Sequence, residues 1–185
     1  MYIKKFSPMM LLVLIALAFT QFSSAADGAA AHKLNLEVDA AIEKFKVKVK
    51  GGEKFLSQVK GYLVFPSVYK GGFIVGGKYG EGALRVNGTT KHFYSMTSAS
   101  IGYQAGVQEY SVVIAFISEA SLDNFVKSNG WEAGVDGSVV VAEWGGSKDI
   151  TSMSYEKPIV AFIYGETGLM VGVSIEGTKF QRILP

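Results

Sequence analysis

His32 and His92 are the only histidines in a chain of 185 residues that contains no cysteine. That composition removes most of the chemistry of protein active sites. Thiolate nucleophiles and cysteine–histidine zinc sites are excluded. A serine triad would have to recruit one of the two histidines, and no Gly-x-Ser-x-Gly elbow is present. His32 lies in a small, polar stretch, and His92 sits beside Phe93 and Tyr94, which suits a structural or surface role. No Asp-rich loop offers itself to a hard cation. The glycine run Gly76-Gly77-Lys78-Tyr79-Gly80-Glu81-Gly82 is not closed by Gly-Lys-Ser/Thr and no helix is expected after it, so it reads as a hairpin and not as a phosphate loop. The expectation is a non-enzymatic protein with no cofactor and no metal.

Lysine placement is the remaining chemical signal. Between residues 44 and 91 there are ten basic residues, opposed only by Glu53 and Glu81; between 119 and 176 there are nine acidic residues and three lysines. A basic first half therefore faces an acidic second half. Lys44, Lys46, Lys48, Lys50, Lys54, Lys60 and Lys70 are candidate contacts for an anionic surface, with Phe45 as the apolar residue among them. Pattern alone reads this stretch as an ordinary amphipathic helix with solvated lysines.

The N-terminus bears on the charge balance. Lys4 and Lys5 precede an unbroken apolar run over 9–19, and Gln21, Ser23 and Ser24 lead to small residues at Ala25 and Ala26. That order predicts a secretory signal peptide over 1–25, cleaved after Ala25 or Ala26. The apolar run is short of the roughly 20 residues that a spanning helix needs. No cysteine follows that could take a lipid, so export to the periplasm or cell envelope without lipidation is expected. The full chain has 18 basic and 16 acidic residues, so without Lys4 and Lys5 the mature chain carries 16 of each. A net charge of zero gives no support to nucleic acid as a partner.

These residues need elements to position them. Residues 26–35 are small and polar, and predict a flexible lead-in to a single domain over 36–185. Val38, Ile42, Phe45 and Val49 recur at helical spacing, with Lys44 and Lys48 opposite and Lys46 and Lys50 flanking, until Gly51-Gly52 stops the helix. A second short helix is expected over 53–60. Candidate strands follow at 62–65 (closed by Pro66), 73–76, 82–86, 101–106, 110–117, 137–142, 159–164 and 169–175. Of 22 glycines, 18 fall between Gly71 and Gly177, as a tightly curving sheet requires. One helix interrupts the strands, with Ser118 as N-cap, Leu122, Phe125 and Val126 on one face, and Asn129-Gly130 at its end. The fold class expected is α+β: N-terminal amphipathic helices packed on a curved, barrel-like antiparallel β-sheet with one inserted helix. The dense aromatics, Tyr62 to Tyr110, suit its core, and such a lining is also able to hold an acyl chain.

Several ordered blocks resemble the SYLF domain family. The first is Lys60-Gly61-Tyr62-Leu63-Val64-Phe65-Pro66-Ser67-Val68-Tyr69-Lys70-Gly71-Gly72-Phe73, with Gly76-Gly77 and Gly80-Glu81-Gly82. The second is Ser100-Ile101-Gly102-Tyr103-Gln104-Ala105-Gly106. The apolar strand 110–117, the helix around 122–125, and Gly168-Leu169 with Gly172 to Gly177 match later blocks. The resemblance implies a lipid-binding domain. Eukaryotic members are associated with phosphoinositide membranes, through an N-terminal amphipathic helix and basic residues, and yeast relatives with actin filaments. Bacterial relatives are typically exported. Carried onto this chain, it implies a membrane phospholipid partner, anionic in kind, met by the helix over 38–50 and by Lys54, Lys60 and Lys70. The alternative it implies is a protein-interaction or assembly module with an envelope protein as partner.

Overall fold

The computed structural model describes residues 8–72, 75–101, 108–128, 130–142, 149–152, 157–166, 168–170 and 172–185. Helices α1 (Pro8–Lys48) and α2 (Gly52–Gln58) precede four long strands, β1 (Gly61–Gly72), β2 (Val75–Val86), β3 (Thr89–Ile101) and β4 (Gln108–Phe116). Helix α3 (Glu119–Lys127) follows, then β5 (Trp131–Glu132), β6 (Val140–Val141), a 3-10 turn (Ile150–Ser152), β7 (Ile159–Gly165), β8 (Gly168–Leu169) and β9 (Lys179–Ile183).

Helix α1 buries Val38, Ile42 and Phe45, and Val49 is buried just past its end, completing the stripe that the spacing predicts. It also continues through 26–35, where a flexible lead-in is expected from the sequence. Alanine has the highest helix propensity, and Leu34, buried at 6 % exposure, ties this stretch to the fold. The stop comes at Gly51, whose φ of +85° belongs to the left-handed region that favours glycine. A Cβ there would lie 2.1 Å from Asp149 Oδ1, so any other residue would also have to displace that carboxylate.

The strands form one sheet in the order β5-β9-β3-β2-β1-β4-β7-β6, with β8 paired to β7. Pairing is antiparallel except between β6 and β7, which run parallel. The purely antiparallel sheet expected from the sequence is corrected at that pair: β6 and β7 are far enough apart in sequence for the long connection that parallel neighbours need.

Strand β1 does not close at Pro66, as its sequence suggests, but runs through it by a bulge. Val64 pairs with Ala83 and Ser67 with Glu81, so Phe65 and Pro66 together oppose Gly82. On the other flank Pro66 and Ser67 oppose Ser111. Proline has no N–H for a ladder, and a bulge is where a central strand tolerates that. Ser111 Oγ donates to the Pro66 carbonyl at 2.7 Å and satisfies its oxygen. Gly82 is required opposite: a Cβ there would sit 2.1 Å from the Val64 carbonyl oxygen.

The sheet is apolar on both faces, as the pattern of β4 predicts. The inner face joins Phe180 of β9, Met96 of β3, Leu63 of β1 and Ile163 of β7 in one cluster, although β9 and β7 stand near opposite ends of the strand order. Only a strongly curled, barrel-like sheet brings those ends together. Helix α3 enters this space, capped as expected by Ser118, whose Oγ accepts from Ser121 N–H. Its Phe125 packs on Tyr94 at 4.9 Å and Phe116 at 5.0 Å between ring centroids. On the outer face, α1 and α2 cover Val64, Ala83, Val113 and Phe162.

The expected strand over 169–175 pairs only at Gly168–Leu169. Gly172 turns the chain at φ +72°, and the next residues cross irregularly over the inner face, where Ile175 is buried. The hairpin expected over 76–82 is corrected: those residues pair continuously with β3 inside the single strand β2. Most of β3, and all of β5 and β9, have no counterpart among the expected strands. Phe73, Ile74 and residues 102–106, part of two expected strands, lie outside the described residues.

Candidate functional site

The lysines of the first half do not share one surroundings. Lys44 sits on the outer side of α1 and donates to Glu166 Oε1 at 2.5 Å. Lys48, one turn on, donates to the backbone carbonyl of the same Glu166. Glu166 follows the end of β7, so the acidic half of the chain meets the basic half here. The Lys44 ammonium, hydrogen-bonded to it, holds the Glu166 carboxyl below its ordinary range, and Lys48 adds to the effect.

Lys46 reaches back one turn to Glu43 at 2.7 Å. That hydrogen bond raises its pKa above the ordinary lysine value. Lys50 and Lys54 are exposed beside Asp149. Asp149 is held low first by hydrogen bonds from the Thr151 side chain and backbone, and then by those two lysines. Lys60 pairs with Glu119 at 3.6 Å. The charge asymmetry of the sequence is thus met in part on the surface: Lys44 and Lys60 pair with carboxylates of the acidic half, and Lys46 with its neighbour Glu43.

Phe45 stands apart from the lysines around it. It is fully buried, with ring centroids 5.3 Å from Phe162 and 5.6 Å from Tyr164. In this fold it is a core residue between α1 and the sheet and is not presented to a surface ligand. Among the described residues, the large apolar side chains that α1 does expose are Leu36, at 56 %, and Val47, at 84 %.

Lys70 is elsewhere. It lies on β1 opposite Lys78 of β2 and opposite Gln108 of β4, while Lys78 faces Ser98 of β3. Residues two positions away, Val68, Met96 and Tyr110, belong to the inner core, so this row of side chains is the next rung on the inner face. Lys78 donates to the Ser174 carbonyl at 2.6 Å. Burial, and then Lys70, lower its pKa below the ordinary lysine value. The outer face at the same level shows Tyr69 paired with Tyr79, about half exposed at 50 % and 47 %. Lys78 and the tyrosine pair are missed by sequence reasoning that follows the helical lysines. The strand alternation around Lys70 is the signal that could have found them.

A cleft of about 390 Å³ lies between α1 and the sheet, lined among others by Glu37, Lys44, Ser67, Glu109, Tyr164 and Glu166. The Tyr164 hydroxyl at its floor donates to the Ala41 carbonyl at 2.7 Å, and burial pushes its pKa up to about 12. Among the described residues no group of side chains could hold a metal ion, and no helix is long and apolar enough to cross a membrane.

Residues 97–182 match the model of a protein family described as Ysc84, Las17-binding protein actin regulator. The match begins within β3 and ends within β9. No curated protein matches the chain.

Proposed function

We propose that this protein, a SYLF-family chain over residues 97–182, is an exported, non-enzymatic protein that binds anionic phospholipid surfaces through the lysines of α1, of α2 and of the residues that flank α2. The observation that carries this reading is the exposure of the ion pairs along that layer. Glu166 is 88 % exposed, Glu119 73 % and Glu43 70 %. Exposed pairs contribute about 0–1 kcal/mol, so a lysine gives up its carboxylate at little cost. At an anionic membrane surface a lysine contributes about 1 kcal/mol, and several act together. Export is supported by the order of charge, apolar run and small residues before Asp27.

The contact is electrostatic. The apolar face of α1 is occupied by the sheet, so an inserted-helix mode would first have to undo the outer core. Sedimentation with vesicles tests the reading. Binding to vesicles rich in phosphatidylglycerol but not to phosphatidylcholine vesicles, with loss as salt rises, is the expected result. Equal binding to both compositions at low salt sinks it.

A second reading has its own observation. The matched family's description names an actin regulator that binds Las17, and the exposed Tyr69–Tyr79 pair is the kind of surface that protein interfaces favour. A protein-interaction module of this kind would capture an envelope protein. Charge reversal at Lys44, Lys46 and Lys48 would then leave that capture intact, while Tyr69→Ala would weaken it.

A further inference from the structure

We propose that the inner-face rung formed by Lys70 and Lys78, flanked by Gln108 and Ser98, is a binding site for a phosphate group. It lies on the opposite face of the sheet from the α1 surface and does not depend on vesicle binding there.

The argument starts from a cost. Lys70 and Lys78 are directly opposed residues of an antiparallel pair. Cβ atoms so placed are about 4.5–5.5 Å apart, and like charges there repel. Two lysines on one rung are therefore a liability unless something offsets them. Among the described residues, neither forms an ion pair with a carboxylate. What Lys78 has among the described residues is the Ser174 carbonyl, a neutral acceptor that fixes its direction and takes one of the three ammonium donors. The direction of its pKa agrees: burial and Lys70 disfavour its charge, and no carboxylate counteracts them.

The surroundings suit an anion of this class. Below the rung the inner face is closed by apolar side chains, Val68, Met96 and Tyr110, all buried. A low-dielectric floor strengthens the attraction of both ammonium groups for a charge placed between them. Ser98 and Gln108 continue the rung on either side as hydrogen-bonding neighbours. A phosphate offers several acceptor oxygens and up to two negative charges, which matches two cations and adjacent neutral donors better than a carboxylate does. The phosphate can be inorganic or belong to a lipid head group, and both present the same chemistry to the rung.

The test compares thermal unfolding of the wild type, Lys70→Gln, Lys78→Gln, Lys70→Glu and a Lys44→Gln control. Each is measured in chloride, in inorganic phosphate at matched ionic strength, and with a soluble short-chain phosphatidic acid. The expected result is a rise in Tm of roughly 3–6 °C for wild type and K44Q at phosphate concentrations about tenfold above Kd. K70Q and K78Q lose it. K70E, which turns a repelling pair into an attracting one, unfolds at a higher temperature than wild type in chloride and ignores phosphate. A rise with both ligands identifies the phosphate group alone as sufficient, and a rise with the lipid only identifies a head group whose chain also binds. No rise with either ligand overturns the proposal. So does a rise undiminished in K70Q and K70E, whatever K78Q does to folding. Vesicle sedimentation of K44Q and K70Q, run alongside, separates this outcome from failure of the α1 surface.

Discussion

Lys44 and Lys70 stand on opposite sides of one sheet and meet opposite conditions. Lys44 projects from the helical layer outside the sheet and finds an exposed carboxylate from the far half of the chain. Lys70 projects from the inner face and finds a second lysine. In the first case the fold neutralises charge with partners that water and salt can displace. In the second it places like charges together over an apolar floor. The two halves of the sequence look like a basic and an acidic block, yet folding interleaves them outside and leaves the imbalance within. The difference shows that charge blocks along a chain say little about where unmatched charge will reside; strand register decides that.

The largest effect should come from removing the support of the outer layer. Phe45 is fully buried between α1 and the rings of Phe162 and Tyr164. Phe45→Ala should cost about 3–5 kcal/mol, the range for a buried phenylalanine that leaves a cavity. Val47→Ala, one turn face away at 84 % exposure, should stay within about 0.5 kcal/mol. Urea denaturation of the two variants measures both. If F45A keeps its stability and loses vesicle binding, Phe45 is a membrane-facing residue after all and the outer layer is not the closed core described above.

Next in size is the pin between that layer and the sheet. The Arg85 side chain, only 9 % exposed, reaches from β2 to Asp39 of α1 at 2.6 Å. The same guanidinium lies 3.4 Å from the Asn35 carbonyl. Asp39→Ala leaves a nearly buried cation without its carboxylate. Because Asp39 itself is 60 % exposed, the loss should fall near 1–3 kcal/mol, below the range for a fully buried pair. Arg85→Met, which removes the cation together with its need, should cost less than D39A. The reverse order, read from thermal unfolding, would mean that the ion pair itself holds α1 down.

The outer layer was readable in advance because helical spacing is a local signal. Val38, Ile42, Phe45 and Val49 repeat at intervals that only one face of a helix can collect, and Gly51 marks its stop. Ser118 announced α3 for the same reason. The inner face was harder. Pro66 looks like a strand terminator, since a bulge depends on Gly82 and Ser111, which are distant in sequence. Strand β3 is rich in threonine and serine and lacks the apolar alternation of a half-buried strand, yet its pairing with β2 and β9 places it firmly in the sheet. Two-residue strands such as β5 have no periodicity to read. The Lys70–Lys78 rung combines both difficulties: each lysine is unremarkable alone, and only the register makes them neighbours.

The smallest effect should come from the exposed carboxylate that holds Lys44. Glu166→Gln removes the acceptor charge while Lys48 keeps the backbone carbonyl of residue 166. Stability should hardly change, since exposed pairs of this kind contribute little. Vesicle binding should instead strengthen, by up to about fivefold, because one released lysine contributes about 1 kcal/mol at an anionic surface. pH offers the same release without mutation. The Glu166 carboxyl is held below its ordinary range, chiefly by its hydrogen bond from Lys44. Its contribution is therefore present above the ordinary carboxylate range and is lost as pH falls through the lowered value. Acidification of the wild type should gain binding as Lys44 is freed, whereas E166Q should start from the higher level and gain less over the same interval. Parallel pH curves for the two proteins would show that Lys44 is already available at neutral pH, and the contrast between a neutralised outer surface and an unmatched inner rung would then rest on Lys70 and Lys78 alone.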